Sequence, residues 1–323
     1  MKAMVRDVYG SPDVLELRDI DLPECAADEV LVRVRAASVG RDVWHVMAGL
    51  PYPIRLAGFG FRAPKNPVIG SDVAGVVEAV GKDVSRFRPD DEVFGIGKGA
   101  YAEYVCALEE KLAPKPQNLT FEQAAILPIM GSTALQALRD HGKVRQGQEV
   151  LIIGASGGVG TFAVQIAKSF GAHVTGVCSS AKVEMVRSIG ADRVIDYTRE
   201  DFAEGDRRYD MILDIGGNSS LARLRRALAP RGTLVIAGGE GGGRWLGGTD
   251  RQIRAMLLSP FVGQNLGTFV ASENHEDLLV LKELIESGKI TPLIDKTYPL
   301  SEVPEAIRYL EEGHARGKVV ISV

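Results

Sequence analysis

The second half of the chain alternates between short apolar runs and segments whose apolar residues repeat at helical spacing. The runs predict β-strands at residues 150–153, 173–177, 193–195, 211–214 and 233–237. Predicted helices lie between them, at residues 161–168, 182–188 and 221–228. Strands that alternate with helices predict a parallel sheet with helices on both faces, which is the doubly wound α/β class.

The first part of the chain has a β-rich pattern. Short alternating or β-branched runs predict strands at residues 1–8, 14–20, 30–36, 73–81 and 93–95. A β-barrel-like unit is the simplest packing of these strands. Residues 40–67 are rich in Gly, Pro and aromatic residues, which indicates an irregular surface or cleft segment.

Helices and loops complete the predicted organisation. Helices are expected at residues 121–125 and 133–141, with Pro128 and Gly131 as the break between them. Residues 238–248 are so rich in glycine that we expect a mobile loop there. The C-terminal part predicts helices at residues 278–285 and 303–311 and a strand at residues 318–322.

Composition and charge narrow the classes of function. The 323 residues are 45% hydrophobic and 25% charged, with a net charge of −4. No block of like charge is present, so we expect neither a nucleic acid nor a membrane as partner. Charged residues interrupt the first positions too early for a secretory segment, and we expect a cytoplasmic protein. Cys25, Cys106 and Cys178 are far apart and odd in number, so they indicate neither a disulfide framework nor a zinc site.

A glycine-rich turn joins the predicted strand 150–153 to the predicted helix 161–168. Glycines permit a tight bend, let backbone N–H groups approach a diphosphate, and let a helix pack closely against a strand. The helix N-terminus also presents a partial positive charge to the phosphates. The strand before the turn and the helix after it favour a dinucleotide site over a loop that merely turns tightly. The turn consists of Gly154, Ala155, Ser156, Gly157, Gly158, Val159 and Gly160.

Further motifs occur at residues 70–77, 84–95, 101–104, 190–197 and 317–320, and at Thr133 and Ala134. Together with the glycine turn, they resemble the medium-chain dehydrogenase/reductase superfamily, in particular its zinc-free quinone oxidoreductase branch. The resemblance implies a GroES-like catalytic domain formed by residues 1–120 and 290–323. It also implies an inserted Rossmann domain, residues 121–289, that binds NADP(H), and assembly into a homodimer.

The candidate metal ligands are too few for a zinc site. A catalytic zinc needs about three protein ligands from Cys, His and acidic side chains. Zinc-dependent members of the superfamily carry Gly-His-Glu where this chain has Gly-Ser-Asp at residues 70–72, and a cysteine in the region of Gly40. His45 and Asp42 remain as two candidates, so we expect no metal. Asp72 is interpreted as structural.

Charge after the second strand of the Rossmann domain indicates NADP(H) as cofactor. Folds that prefer NAD place an acidic residue about 20 residues after the glycine turn, where it binds the ribose 2′-hydroxyl. Residues 177–182 contain no acid; Ser179, Ser180 and Lys182 instead offer two hydroxyls and a positive charge to a 2′-phosphate. The alternative role of the two serines is helix capping.

Three further residues are assigned to the nucleotide site, two of them from the resemblance. Thr133 matches a position on the nicotinamide side, with helix capping as the alternative role. Tyr197 matches a position against the phosphate or adenosine, and an ordinary half-buried tyrosine is the alternative. Gly238 is included in the same site.

Without a metal, the expected reaction is hydride transfer to a quinone or to an α,β-unsaturated carbonyl (an enone or 2-alkenal). Such transfer places negative charge on an oxygen, which hydrogen-bond donors stabilise. The candidates for orienting the substrate are Tyr52, His45 and Trp44, and the alternative for each is an ordinary packing role. The family's asparagine at Gly40 and its acidic residue near Val43 are missing. A zinc-independent alcohol dehydrogenase and a low-turnover NADP-binding redox sensor or assembly protein remain as alternatives.

Overall fold

The computed structural model describes residues 1–239, 243–313 and 315–323. Within them the chain divides into two compact units. Unit 1 comprises Met1–Ser132, Glu273–Gly288 and Pro292–Val323, and unit 2 comprises Thr133–Ser272 and Lys289–Thr291. The sequence placed the boundaries at residues 120 and 290, whereas this division assigns residues 121–132 and 273–288 to unit 1.

The strands and helices are numbered in chain order. The strands are β1 (Lys2–Val5), β2 (Glu16–Asp19), β3 (Glu29–Val39), β4 (Asp72–Val80), β5 (Glu92–Ile96), β6 (Tyr104–Leu108), β7 (Leu112–Pro114), β8 (Glu149–Ile153), β9 (His173–Cys178), β10 (Arg193–Asp196), β11 (Tyr209–Asp214), β12 (Leu228–Ile236), β13 (Asn265–Thr268), β14 (Ile294–Pro299) and β15 (Lys318–Ser322). The α-helices are α1 (Arg41–Ala48), α2 (Phe121–Ala125), α3 (Pro128–Gln136), α4 (Gly158–Ser169), α5 (Val183–Ser188), α6 (Leu221–Ala227), α7 (Gly243–Leu246), α8 (Thr249–Leu258), α9 (His275–Glu286) and α10 (Val303–Glu311).

Unit 1 is built on a sheet with the strand order β14-β15-β3-β4-β5-β7, and β6 also pairs with β3. A separate antiparallel pair joins β1 to β2. The last strand, β15, runs antiparallel to β3, so that Ser322 lies opposite Ala36 and Val319 opposite Val39. The core of this unit combines residues from both ends of the chain, for example Val32, Val73 and Val319. The GroES-like, β-rich class predicted for this part is confirmed.

Unit 2 is built on a parallel sheet with the order β10-β9-β8-β11-β12-β13. The strand order reverses direction at β8, so β8 and β11 are neighbours although two strands separate them in sequence. Ligands of doubly wound sheets bind beyond the carboxyl ends of the strands at such a point. The predicted doubly wound class is confirmed, and the glycine turn follows β8.

Three local predictions are wrong. Residues 40–67 are not irregular throughout, because α1 forms with Val43 and Met47 buried on one face. Pro128 does not break a helix; it is the first residue of α3, where its missing N–H costs nothing. Part of the expected mobile loop, residues 238–248, is helical, since α7 covers residues 243–246, and α8 begins directly after it at Thr249. Gly241 and Gly242 lie outside the described residues.

The interpretation of the cysteines is also corrected. Cys25 and Cys106 form a disulfide with their Cα atoms 5.4 Å apart. The pairing of β3 with β6 places Cys106 opposite Leu31 and so close to the segment that precedes β3. Such a contact depends on strand pairing between distant segments and leaves no mark in the cysteine spacing. Cys178 is free, and burial raises the pKa of its thiol to about 11.

No helix in the described part of the chain is long and apolar enough to cross a membrane.

Candidate active site

The glycine turn connects β8 to the N-terminus of α4. Gly154 has a φ of +89°, a conformation that favours glycine. Gly157 is the N-cap of α4, and no side chain caps the helix. The first N–H groups of an α-helix have no acceptor within the helix. In α4 these N–H groups belong to Gly158, Val159 and Gly160, and they form a cradle suited to an anion.

The glycines of this region have two different roles. A Cβ atom on Gly160 would lie 2.1 Å from the carbonyl oxygen of Gly154, and one on Gly238 would lie 1.9 Å from the carbonyl oxygen of Ile215. Both positions therefore need glycine for close packing of the backbone itself. A Cβ on Gly157 would have its nearest neighbour at 3.6 Å, which is ordinary contact distance. A side chain at Gly157, the N-cap of α4, would therefore not collide with the protein itself.

Ser156 and Gly238 flank the same ends of the parallel strands. Ser156 is buried within the turn. The Gly238 carbonyl accepts a hydrogen bond from Arg251 Nη2 at 3.0 Å, and Arg251 Nη1 donates to Asp214 Oδ2 at 2.5 Å. Because Asp214 is fully buried at the end of β11, this ion pair ties the ends of β11 and β12 together. The arrangement fixes Gly238 beside the turn that follows β11.

The predicted 2′-phosphate residues follow β9 and β10. Ser179 precedes a single helical turn, Ser180–Lys182, and its side chain makes no capping hydrogen bond. The positive charge of Lys182 acts on the neighbouring Cys178 thiol, where it opposes the effect of burial on the pKa. The Tyr197 side chain is 61% exposed, so it is available to a ligand rather than half-buried. Thr133 lies inside α3 and therefore does not cap that helix.

An acidic residue that the sequence reasoning missed stands next to Ser180. Asp196, at the end of β10, lies opposite Cys178 in the parallel pairing. Ser180 Oγ donates to Asp196 Oδ2 at 2.5 Å, and Thr198 Oγ1 donates to Asp196 Oδ1 at 2.7 Å. These hydrogen bonds, that of Ser180 first, lower the pKa of Asp196. Residues 177–182 themselves contain no acid, but the expectation that no acid lies near the 2′-phosphate position is wrong, because Asp196 comes from the neighbouring strand.

Asp196 does not make the region negative overall. Arg199 Nε lies 3.5 Å from Asp196 Oδ2, and Lys182 adds a second cation at the end of β9. The Ser180 hydroxyl already donates its hydrogen bond to Asp196, so it offers an acceptor rather than a donor to a ligand. Ser179, Lys182 and Arg199 carry donors of a kind that suits a 2′-phosphate.

The candidates for substrate orientation lie in unit 1. His45 belongs to α1, and its Nδ1 lies 2.8 Å from the carbonyl oxygen of Leu50. The Arg55 guanidinium stacks over the Tyr52 ring at 5.1 Å. Trp44 Nε1 donates to Glu311 Oε1 at 2.5 Å, which favours a packing role for this residue. A substrate contact by Tyr52 or His45 stays a prediction.

A buried polar cluster occupies the space beside Gly40. A Cβ atom on Gly40 would lie 2.1 Å from Asp42 Oδ1 and 2.7 Å from Lys318 Nζ. Lys318 is 3% exposed, and its Nζ forms an ion pair with Asp72 at 3.7 Å. Ser38 Oγ also donates to Asp72. The position of the family's asparagine is thus closed by charged side chains from α1 and β15, a contact between residues that are far apart in sequence.

Comparison with known proteins identifies the family. The family model of the alcohol dehydrogenase GroES-like domain matches residues 26–117, and that of the zinc-binding dehydrogenase matches residues 189–321. The NAD(P)H oxidoreductase RTN4IP1, mitochondrial, of Mus musculus is 37% identical over 357 residues, covering 100% of this chain and 89% of the relative. The chain belongs to the medium-chain dehydrogenase/reductase superfamily.

Two further members of the superfamily support the assignment to its quinone oxidoreductase-like branch. The NADPH-dependent alkenal/one oxidoreductase, chloroplastic, of Arabidopsis thaliana is 35% identical over 343 residues, covering 99% of this chain and 79% of the relative. The solved structure of the quinone oxidoreductase from Coxiella burnetii matches with a TM-score of 0.88 at 31% identity, covering 100% of this chain and 99% of that structure.

The name of the second family model raises the question of zinc. At the positions where zinc-dependent superfamily members hold the metal, this chain has Gly40, which lacks a side chain, and Ser71. Asp72 is engaged by Ser38, by the Ile129 N–H and by Lys318. In the described residues one group of Cys, His and acidic side chains is close enough to hold an ion, Cys25, Glu29 and Cys106, and two of its members form the disulfide. The donor set does not fit a catalytic zinc.

Burial of Asp72 predicts a pH dependence of stability. Burial raises the pKa of Asp72 to about 6, against the opposing charge of Lys318. Between about pH 4 and pH 6 the folded state retains a proton that the unfolded state has lost, so stability falls as the pH rises. We expect a loss of about 3 kcal/mol at most across this window. Urea unfolding at several pH values measures it, and the same slope in Asp72→Asn would show that another group titrates.

Proposed function

We propose that the protein is an NADPH-dependent oxidoreductase that reduces a quinone or an α,β-unsaturated carbonyl compound. The observation that carries the proposal is the combination, within unit 2, of the uncapped α4 N-terminus with the cations beyond β9 and β10. One feature suits a diphosphate and the other a 2′-phosphate. When bound, NADPH supplies a hydride to the substrate.

Each part of the nucleotide site has its own role. The N–H groups of Gly158 and Val159 bind the diphosphate, and Ser179 and Lys182 bind the 2′-phosphate. The exposed ring of Tyr197 offers a stacking surface for the adenosine. In unit 1, the Tyr52 hydroxyl and the ring of His45 are the candidates for donating a hydrogen bond to the substrate carbonyl as negative charge develops. A conjugated carbonyl or a quinone spreads that charge, so it needs no metal.

The proposed function is tested by binding and by turnover. We expect NADPH to bind more tightly than NADH in a fluorescence titration, and NADPH to be oxidised by members of a panel of quinones, enones and 2-alkenals. Tight binding of NADPH without turnover of any compound would favour a cofactor-binding protein instead. Oxidation of secondary alcohols with NADP⁺, without reduction of the panel, would favour an alcohol dehydrogenase.

Asp196 provides a prediction on cofactor preference. The change Asp196→Asn removes a negative charge beside the 2′-phosphate and weakens the acceptor that holds the Ser180 proton. We expect the Kd of NADPH to fall about fivefold, with little change for NADH. Lys182→Glu is expected to act in the opposite direction. The control is Glu200→Gln, which removes a nearby surface carboxylate that pairs with Arg193; an equal effect there would mean that overall charge, not this site, decides the preference.

Location and assembly remain part of the proposal. We place the protein in the cytoplasm as a homodimer without nucleic-acid or membrane partners, following the sequence and the resemblance. The two relatives compared above carry the names mitochondrial and chloroplastic, so cell fractionation is the appropriate test of location. Size-exclusion chromatography with light scattering tests the dimer.

A further inference from the structure

A cavity of about 300 Å³ lies within unit 1. It is bounded by the end of β1, by α1, by residues 58–71 and by residues 96–99. Much of its wall is apolar, including Val43, Val46, Phe59 and Ile96. Its polar wall contains Arg6, Lys65, Lys98 and Ser71, and none of the described residues that line it is acidic. The cavity therefore combines an apolar body with an excess of positive charge.

Arg6 is the buried cation of this wall. Its side chain is 2% exposed, and Nη1 donates a hydrogen bond of 2.5 Å to the carbonyl oxygen of Val46. Its Nε has no hydrogen-bond partner, and no carboxylate in the described residues pairs with the guanidinium. Burial lowers the pKa of Arg6 to about 10, so the group is still charged at neutral pH. A buried charge without a counter-ion is costly for the folded protein.

The neighbours of Arg6 do not neutralise it. The guanidinium lies 5.3 Å from the centre of the Tyr9 ring, and a second cation, Arg55, lies 4.5 Å from the same ring. At the edge of the cavity, Lys98 is paired with Glu29 at 2.9 Å, whereas Lys65 is exposed. The Tyr9 ring offers a weak attraction to both arginines. The cavity thus contains one buried positive charge that a single negative charge would balance.

We propose that this cavity binds the carboxylate of a small amphipathic molecule, with Arg6 as the counter-charge and the apolar wall around the rest of the ligand. A monoanion matches one guanidinium, and a carboxylate matches its planar donors. If the cavity holds the substrate, the preferred conjugated carbonyl substrates carry a carboxylate; this part of the inference rests on the proposed function. The walls contributed by α1 and by residues 58–65 lie in the stretch 40–67 where sequence places the substrate candidates.

Binding and turnover test this inference separately. Calorimetry compares the binding of 3-benzoylpropionate with the binding of its methyl ester, and this measurement does not depend on turnover. We expect the acid to bind the wild-type protein about tenfold more tightly than the ester. Steady-state kinetics with NADPH compare trans-3-benzoylacrylate with its methyl ester, for which we expect a similar ratio of kcat/KM. Binding of the acid without turnover would support the carboxylate site and count against the proposed reductase function.

Substitutions of Arg6 test whether this residue causes the preference for the acid over the ester. In Arg6→Met the acid-to-ester ratio should fall to about one, whereas Arg6→Lys should retain part of it. The melting temperature of Arg6→Met should not fall much, because the change removes an unpaired buried charge. Arg18→Met, which removes a surface cation paired with Asp7 and Glu16, should keep the wild-type ratio. An unchanged ratio in Arg6→Met, or no preference for the acid in the wild type, would overturn the inference.

Discussion

Gly160→Ala is expected to prevent stable folding of unit 2, whereas Gly157→Ala should leave the fold intact and abolish tight nucleotide binding. The Cβ of residue 160 would overlap the Gly154 carbonyl oxygen at 2.1 Å, and both groups belong to the backbone and cannot move independently. We expect a loss of about 3 kcal/mol in the free energy of unfolding, the upper end of the usual cost of overpacking. At residue 157 the nearest atom would be 3.6 Å away, so the expected change is within about 0.5 kcal/mol.

The two variants separate a packing glycine from a ligand glycine. The methyl group of Gly157→Ala would stand where the diphosphate must approach the N–H groups of α4, so the Kd of NADPH should rise at least about tenfold. Urea unfolding and a fluorescence titration with NADPH measure the two effects independently. If Gly157→Ala binds NADPH like the wild type, the diphosphate does not lie at this turn. If Gly160→Ala is as stable as the wild type, the close packing of α4 against the turn is not required.

The second large effect is expected for Lys318→Met. Lys318 is the buried cation beside Asp72 and Asp42, and its removal leaves two carboxylates without a buried counter-charge. We expect a loss of about 3 kcal/mol in the free energy of unfolding at neutral pH. The pKa of Asp72 should rise further, so the loss should be smaller at pH 5, where Asp72 is already protonated.

Two companion variants make this prediction specific. Adding Asp72→Asn to Lys318→Met should recover part of the lost stability at neutral pH, because it removes one of the two unpaired carboxylates. Lys2→Met should change stability by less than about 1 kcal/mol, since Lys2 forms an exposed ion pair with Asp19. Thermal and urea unfolding at pH 5 and pH 7.5 measure all three variants. A loss in Lys318→Met that does not depend on pH would mean that packing, not charge, accounts for it.

The sequence predicts well those parts of the fold that depend on local patterns. The strands of the parallel sheet are short apolar runs, and α4 follows a glycine turn that can be recognised from its own residues and from the strand before it. The helix α1 was missed because the Gly, Pro and aromatic residues after it dominated the composition of residues 40–67. Pro128 was misinterpreted because proline at the start of a helix and proline that breaks one differ only in register.

The parts of the candidate site that escaped prediction are contacts between distant segments. Asp196 reaches Ser180 because β10 lies beside β9, and Lys318 reaches Asp72 because β15 and β4 both flank β3. Neither pair is close in sequence, so no spacing or periodicity marks it. The disulfide between Cys25 and Cys106 escaped for the same reason. The substrate candidates Tyr52 and His45 depended on resemblance alone, and the structure adds their hydrogen-bond and stacking partners without deciding their role.

The pairing of β15 with β3 has a consequence for synthesis of the chain. One edge of β3 is covered by β6 along Glu29 to Arg33, and by β15 along Ala36 to Val39. On the ribosome, β3 emerges long before β15, whereas every strand of the parallel sheet has emerged in between. Until residues 319–322 arrive, the apolar stretch from Ala36 to Val39 has an open edge whose N–H and C=O groups can pair with another nascent chain. A chaperone that protects this edge is therefore needed throughout the interval between the emergence of β3 and that of β15.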